Sequence, residues 1–457
     1  MPVHIISSSS DWENVSLIIG SNDMVMLSND ITFTSQPNIM NLGNSMFHGG
    51  SHTITLTFDY IKGLFTIFGG SVEFLTINSS EKILSDYEGL FINYETGGIN
   101  QYGDFEMCAV ENALIGTESG GICGTNFGLG SSRSTRSNFK RCGSNASLIG
   151  EGSGGTIGSS SKNIKIVNSC FLGTLNNVYT GGFIGKNTGN GVEINTCFVY
   201  CNVDTDHSSG CIASLEENIS NINIKKSIMF GTVNGVGSGG LIGKLGINNI
   251  NNNIRIRNCY SIAEVIIGGC FVGEIPNSSG IYMARCYQTG NVTEGGSVIG
   301  ILNGQCTVDN CVVSSSQYKS QGSENINITG STSINDLSTI ENNTIPPSWN
   351  HNTWIGVSGQ NQYPILKNFT KENIWNGMYE KYTDSPAFRE IMVGKPDMFE
   401  KGNRIRVRNN KMIIGTVIRT KSLGVNSVRV KFMGDTGLSN NNKCYYGNSG
   451  LQELEIL

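Results

Sequence analysis

The sequence predicts an all-β protein whose longest part is a solenoid of stacked parallel coils. Three observations predict it. Glycine pairs followed by a short apolar strand recur at a near-constant period, and cysteines recur in phase with them. The 457 residues include 59 Gly and 8 Pro with only 15% charged residues, a composition suited to strands joined by tight turns. A repeat array grows as one unit, so this length need not mean several separate cores.

Taken in order, residues 1–115 lack the repeat but alternate strand and turn: "VSLII", "DMVMLSNDITFT", "SHTITLTFDY", "GLFTIFGGSVEFLTI" and "GLFINYETGGIN". They read as N-terminal coils, with "MPVHIISSSSDW" covering an open end that would otherwise invite edge pairing. The opening shows no basic stretch followed by an apolar run of leader length. No later run approaches the roughly 18 apolar residues of a membrane-spanning helix. The expectation is a soluble protein of a host cytoplasm or a virion, not inserted in a membrane.

Residues 116–316 carry the repeat. Its glycine strands are "GGICG" at 120, "GGTIG" at 154, "GGFIG" at 181, "SGCIA" at 209, "GGLIG" at 239, "GGCFVG" at 268 and "GGSVIG" at 295. The glycines are expected to supply positive φ and close approach at a corner. A second series assigns Cys142, Cys170, Cys197, Ile228, Cys259, Cys286 and Cys311 to one repeat position, an internal ladder. The 13 cysteines are odd in number, and Ile228 in the series argues against disulfide or metal roles, so reduced buried thiols are expected and no metal or cofactor. About ten coils at roughly 4.8 Å each would give a rod about 50 Å long.

"GGFIGKN", "SGGLIGKL" and "CFLGTLNNVYT" resemble the GLUG repeats of bacterial and viral surface β-solenoids. The segment 317–369, ending "SWNHNTWIGVSGQNQYPILKNF", is similar to the Trp then Tyr-Pro-x-Leu close of such arrays, with Trp349, Trp354, Tyr363, Pro364 and Leu366 in the matching places. The resemblance implies a right-handed parallel β-helix, single-stranded and like that of the pectate lyases. It says little about activity, since such arrays serve as scaffolds, stalks and adhesive surfaces. "SGCIA" departs from the pattern, and the regularity of that coil is in question.

After Phe369 the texture changes. Residues 370–394 read as a linker with a short helix, from the helical spacing of Ile374, Met378 and Tyr382. Residues 395–457 alternate apolar and basic side chains, and the pattern suggests a small SH3-like β-barrel. Eleven Lys and Arg against five Asp and Glu give this segment +6, which leaves −11 for the rest of a chain of net charge −5. Arg404, Arg406, Arg408, Arg429 and Lys431 form a basic stripe: either a solvated face or a docking surface for an acidic protein. Nucleic acid, with Tyr445 and Tyr446 stacking, is the less favoured partner, because the rest of the chain would repel a polyanion.

Enzymes of this fold class call for clustered carboxylates, so Asp204 and Asp206 beside His207 in "VDTDHSSG" are the candidates for catalysis or calcium, against an ordinary solvated loop. His48 and His52 share a face loosely and lack a nearby carboxylate in sequence. No P-loop, HExxH, GxSxG or paired CxxC motif occurs. The favoured expectation is a non-enzymatic structural protein, a minor capsid protein or other virion component of a large DNA virus, on the Asn- and Ile-rich composition. The alternatives are a polysaccharide lyase or hydrolase and a surface adhesin.

Overall fold

The computed structural model describes residues 2–94, 101–131, 136–249, 253–314, 317–322, 326–329, 345–346, 348–355 and 364–366, together with five strands beyond residue 403. The chain divides into two units, Met1–Asn368 and Phe369–Leu457.

The first unit has the long parallel strand stacks of a parallel β-helix. Along its principal sheet thirteen described strands, from Val3–Ile6 to Ile326–Thr329, each pair in parallel with the next. A second sheet runs beside it from Ile31–Phe33 to Val312–Val313. A third ladder passes from Phe65 through Ile92, Cys123, Ile157, Ile184, Ile212, Ile242 and Val272 to Ile299. Period-two alternation fixes which residues are inside. In "IKIV", "INIK" and "IRIR" the isoleucines are buried and the charged or amide residues face out.

Register stacks the inward residues into one column: Val25, Phe47, Val72, Phe105, Phe139, Ile166, Ile194, Ile224, Ile256, Met283 and Val308. Each of them is at most 1% exposed. Burying a side chain of this size contributes roughly 1.5–3 kcal/mol relative to leaving it in water, so the column is a main source of the unit's stability. Phe105 and Phe139 stack with centroids 4.8 Å apart, close to the strand spacing itself.

The thirteen strands exceed the ten coils expected. The first coils are shorter than the repeat period, as the pairing of Val3 with Met24, Met24 with Met46 and Met46 with Ser71 shows. Twelve steps of roughly 4.8 Å make the stack about 58 Å long.

The cysteine series needs a correction by one residue at two places. Cys170 pairs with Gly143 and Phe198, and Ile228 with Phe198 and Tyr260. The corner column is therefore Cys108, Cys142, Ser169, Cys197, Ser227, Cys259, Cys286 and Cys311. The residue before each is left-handed, with φ between 50° and 56° from Met107 to Asn310. Each corner side chain donates to the carbonyl two residues earlier, at 3.0 to 3.7 Å. Ser169 and Ser227 also accept from the amides of Cys142 and Cys197 in the rung before. A small side chain with a weak donor suits this corner, and serine meets both conditions where isoleucine would not. The twelve described cysteines are all free and buried. Burial pushes the thiols of Cys197 and Cys270 up to about 12, so these two stay protonated at neutral pH.

The glycine pairs act through close approach. A Cβ on Gly154 or Gly181 would lie 1.9 Å from the carbonyl oxygen three residues on, and neither residue has a positive φ. The coil with "SGCIA" nevertheless stays in register, because Ser209 bridges both Gly181 and Gly239.

At the N-terminal end the helix Ser9–Ile18 plugs the coil interior. Ser8 caps it by accepting from the Asp11 amide. Its Trp12 is fully buried against Phe33, Phe47 and Phe65 and donates its indole N–H to the Asn38 carbonyl. The opening segment fills the coil interior through Trp12, but in place of the expected cover over the open edge it adds a rung of its own, Val3–Ile6. Near the other end, Trp349 and Trp354 pack on the stacked rings of Tyr260 and Tyr287. Trp354–Ile355 pairs antiparallel with Ile365–Leu366, and the Tyr287 hydroxyl donates to the Pro364 carbonyl. Tyr363 lies outside the described residues.

In the second unit five strands form one antiparallel sheet in the order Asn442–Tyr446, Ser427–Phe432, Asn410–Thr420, Arg404–Val407, Leu454–Ile456. The helical piece expected over 370–394 lies outside the described residues.

Candidate binding groove

The rungs after the glycine pairs line a groove of about 490 Å³ on the flank of the first unit, with Tyr179, Lys186, Ser214, Glu216 and Lys244 among its walls. Ser214, Lys244 and Glu274 stand in register on successive rungs. Charges that are a whole coil apart in sequence are thereby brought together.

Lys186 holds two carboxylates, Glu118 at 2.9 Å and Glu151 at 3.1 Å. Burial alone would depress the Lys186 ammonium, but the hydrogen bonds to Glu118 and Glu151 outweigh it and raise it. Glu118 is likewise desolvated, yet the Ser159 hydroxyl and Lys186 hold it below the usual range. Among the described residues Glu216 has no such partner, and burial raises it despite the charge of Lys162.

The sequence candidates divide here. Asp204 and Asp206 are exposed. Asp206 accepts the Val236 amide of the next rung at 2.8 Å, a contact that ties two coils together. His207 turns inward, stacks on Tyr179 at 5.1 Å and places Nδ1 3.3 Å from Glu274, which also pairs with Lys244 at 3.1 Å. The His207–Glu274 contact is close enough for an ion pair but lacks hydrogen-bond alignment, and Nδ1 is otherwise without a hydrogen-bond partner. Burial first, and the Lys244 charge second, lower the His207 imidazole and favour its neutral form. Sequence reasoning found His207 but missed Glu274, Lys244 and Tyr179. The signal was the residue after each "GGxIG" strand, where Lys186 and Lys244 repeat.

His48 accepts the Gly50 amide and packs against Phe74 with the rings tilted by 32°, while His52 lies 3.2 Å from Asp30, so the two histidines serve separate contacts. Among the described residues no three His, Cys, Asp or Glu side chains gather as a metal site, and no helix is long and apolar enough to cross a membrane.

In the second unit Arg404 and Arg406 lie in one strand, Arg429 and Lys431 in another, and Arg408 lies outside the described residues. Arg404, Thr416 and Lys431 occupy one register position across three neighbouring strands, and Arg429 is opposite Arg419, a basic residue the sequence pattern had not included. Tyr445 and Tyr446 are in the strand beyond. No protein-family model matches the chain, and no curated protein matches it.

Proposed function

We propose that the protein is a non-enzymatic structural scaffold, a right-handed β-helix of GLUG type whose C-terminal unit is an SH3-like barrel that docks on an acidic partner. The observation that carries this reading is the continuous principal sheet of thirteen rungs, onto which the candidate Asp206 is tied as a rung-to-rung contact. A chain that puts its regular geometry into a buried, laddered interior makes a stiff spacer. The excess of +6 in residues 395–457 against −11 elsewhere supports a separable electrostatic contact. The Asn- and Ile-rich composition supports a virion of a large DNA virus as the setting, with the protein a minor capsid component.

Two measurements test the proposal. Quantitative mass spectrometry of purified particles should find the chain at fixed stoichiometry, and its absence removes the virion setting. Changing Arg404, Arg406 and Arg408 together to Ser should abolish incorporation with the thermal transition unchanged. Exposed contacts contribute only a few tenths to about 1 kcal/mol each, so incorporation should also weaken with salt. Calcium-dependent cleavage of an acidic polysaccharide, lost in Asp204→Asn/Asp206→Asn, would replace the scaffold reading with a lyase.

A further inference from the structure

The outward face of the principal sheet changes character along the stack. In its first three rungs the two outward columns read Val3, Met24, Met46 and Ile5, Met26, His48; in the next two they read Ser71, Asp104 and Glu73, Glu106. Outward strand positions on a solvated face are ordinarily polar, as they are from Ser71 onward except at Val167 and Ala284. Val3 is 53% exposed and Ile5 63%, and Leu17 and Ile18 of the plug helix are 77% and 65% exposed. Four of the eleven large exposed hydrophobics among the described residues thus fall between Val3 and Ile18.

Among the described residues the outer edge of the strand Val3–Ile6 is unpaired. The amides of Met24 and Ser28 donate to the carbonyls of Pro2 and Ile6, so the even-numbered residues of Val3–Ile6 face the second rung. By the alternation of a parallel ladder, Val3 and Ile5 direct their N–H and C=O groups away from it. Among the described residues no backbone hydrogen bond reaches them from the other side. Edge strands are usually guarded by lysine, inward charges or a bulge; "VHII" has no lysine and no bulge, and its one inward ionisable side chain, His4, is held by Asp23 at 2.9 Å.

Charge selects the occupant. The sequence before Lys62 contains Asp11, Glu13, Asp23, Asp30 and Asp59 with neither Lys nor Arg, and of its three histidines His4 and His52 meet Asp23 and Asp30. A second copy of the same end would bring like charges together. We infer that the Val3–Ile6 edge receives an extended segment of a basic partner protein, added as a further parallel or antiparallel strand whose apolar side chains continue the Val3 and Ile5 columns while its lysines or arginines meet the acidic end. This surface is separate from the C-terminal basic unit and does not depend on the role proposed for it.

The test uses the full chain and, as probe, an N-acetylated heptapeptide alternating lysine and valine, with its glutamate and valine counterpart as control, in titration calorimetry. The lysine peptide should bind, more weakly as salt rises, and the glutamate peptide should not. Ile5→Pro removes an amide that faces away from the second rung, so the strand should survive while binding falls by about tenfold or more. If Ile5→Pro moves the thermal transition, Ile5→Thr/Met26→Thr keeps the backbone and should still weaken the peptide. Equal binding of both peptides, or undiminished binding to Ile5→Thr/Met26→Thr, overturns the inference. So does a dimer of the protein alone that sediments as monomer after Ile5→Pro, which would assign the edge to a second copy.

Discussion

Cys197 illustrates what a corner residue must do: fill little space, donate to the Asn195 carbonyl at 3.4 Å and follow a left-handed Thr196. Cys197→Ser should therefore unfold within about 1 kcal/mol of the parent in denaturant, whereas Cys197→Leu, overpacking a closed corner, should cost about 1–3 kcal/mol. Thiol counting checks the column from the other side, since native protein should label slowly at the twelve buried cysteines and rapidly once unfolded. That cysteines recur inside was legible in the sequence; the column itself was misread at Cys170 and Ile228. The corner tolerates serine, and its left-handed partners, among them Met107, Arg141, Thr196 and Lys226, share no side-chain type that would mark the position. His207 gives a pH dependence. Its lowered value means that the unfolded chain binds a proton more readily, from the ordinary value near 6.5 down to the folded one. Stability should rise with pH through that window and be lost as pH falls through it. His207→Asn, a residue that tolerates the φ of 54° found here, should flatten the rise of the thermal midpoint with pH below about 6.5.

Elements in this fold are strands a few residues long, and their positions depend on the turns between them. Gly181→Ala would bring a Cβ within 1.9 Å of the Ile184 carbonyl oxygen, so one turn must open; a loss of about 1–3 kcal/mol in denaturant unfolding is expected. Ser209 occupies the same bridge position and shows the cost, for its hydroxyl is buried without a hydrogen-bond partner. Ser209→Gly should accordingly be neutral or stabilising by the same measurement. The glycine strands were readable because each pair is followed within two residues by a buried apolar side chain, as at Ile122, Ile157, Phe183, Leu241 and Val298. The helix Ser9–Ile18 was not, since five serines and mixed polarity in "SSSSDWENVSLI" hide a plug whose only fully buried side chain is Trp12. Trp12→Ala should cost about 3–5 kcal/mol locally and expose the first rungs to hydrogen exchange before the middle of the stack.

Across the whole first unit each rung touches the rung before and the rung after, and the hydrogen bonds between rungs run along the stack. The parallel architecture was legible because its period survives every substitution in the glycine strands. The number of rungs was not, because that period fails over residues 1–115, where the coils shorten. The register carries a consequence of another kind, one of measure. The coil from Val3 to Met24 is much shorter in sequence than the coil from Asp104 to Asn138, yet each climbs by one inter-strand spacing. Chain length and molecular length are therefore decoupled. Residues inserted into a turn swell the girth and leave the height unchanged. Removing one whole coil shortens the molecule by a single indivisible step of roughly 4.8 Å. Such a protein is a ruler graduated in units of the peptide backbone, and its reach changes only by whole graduations.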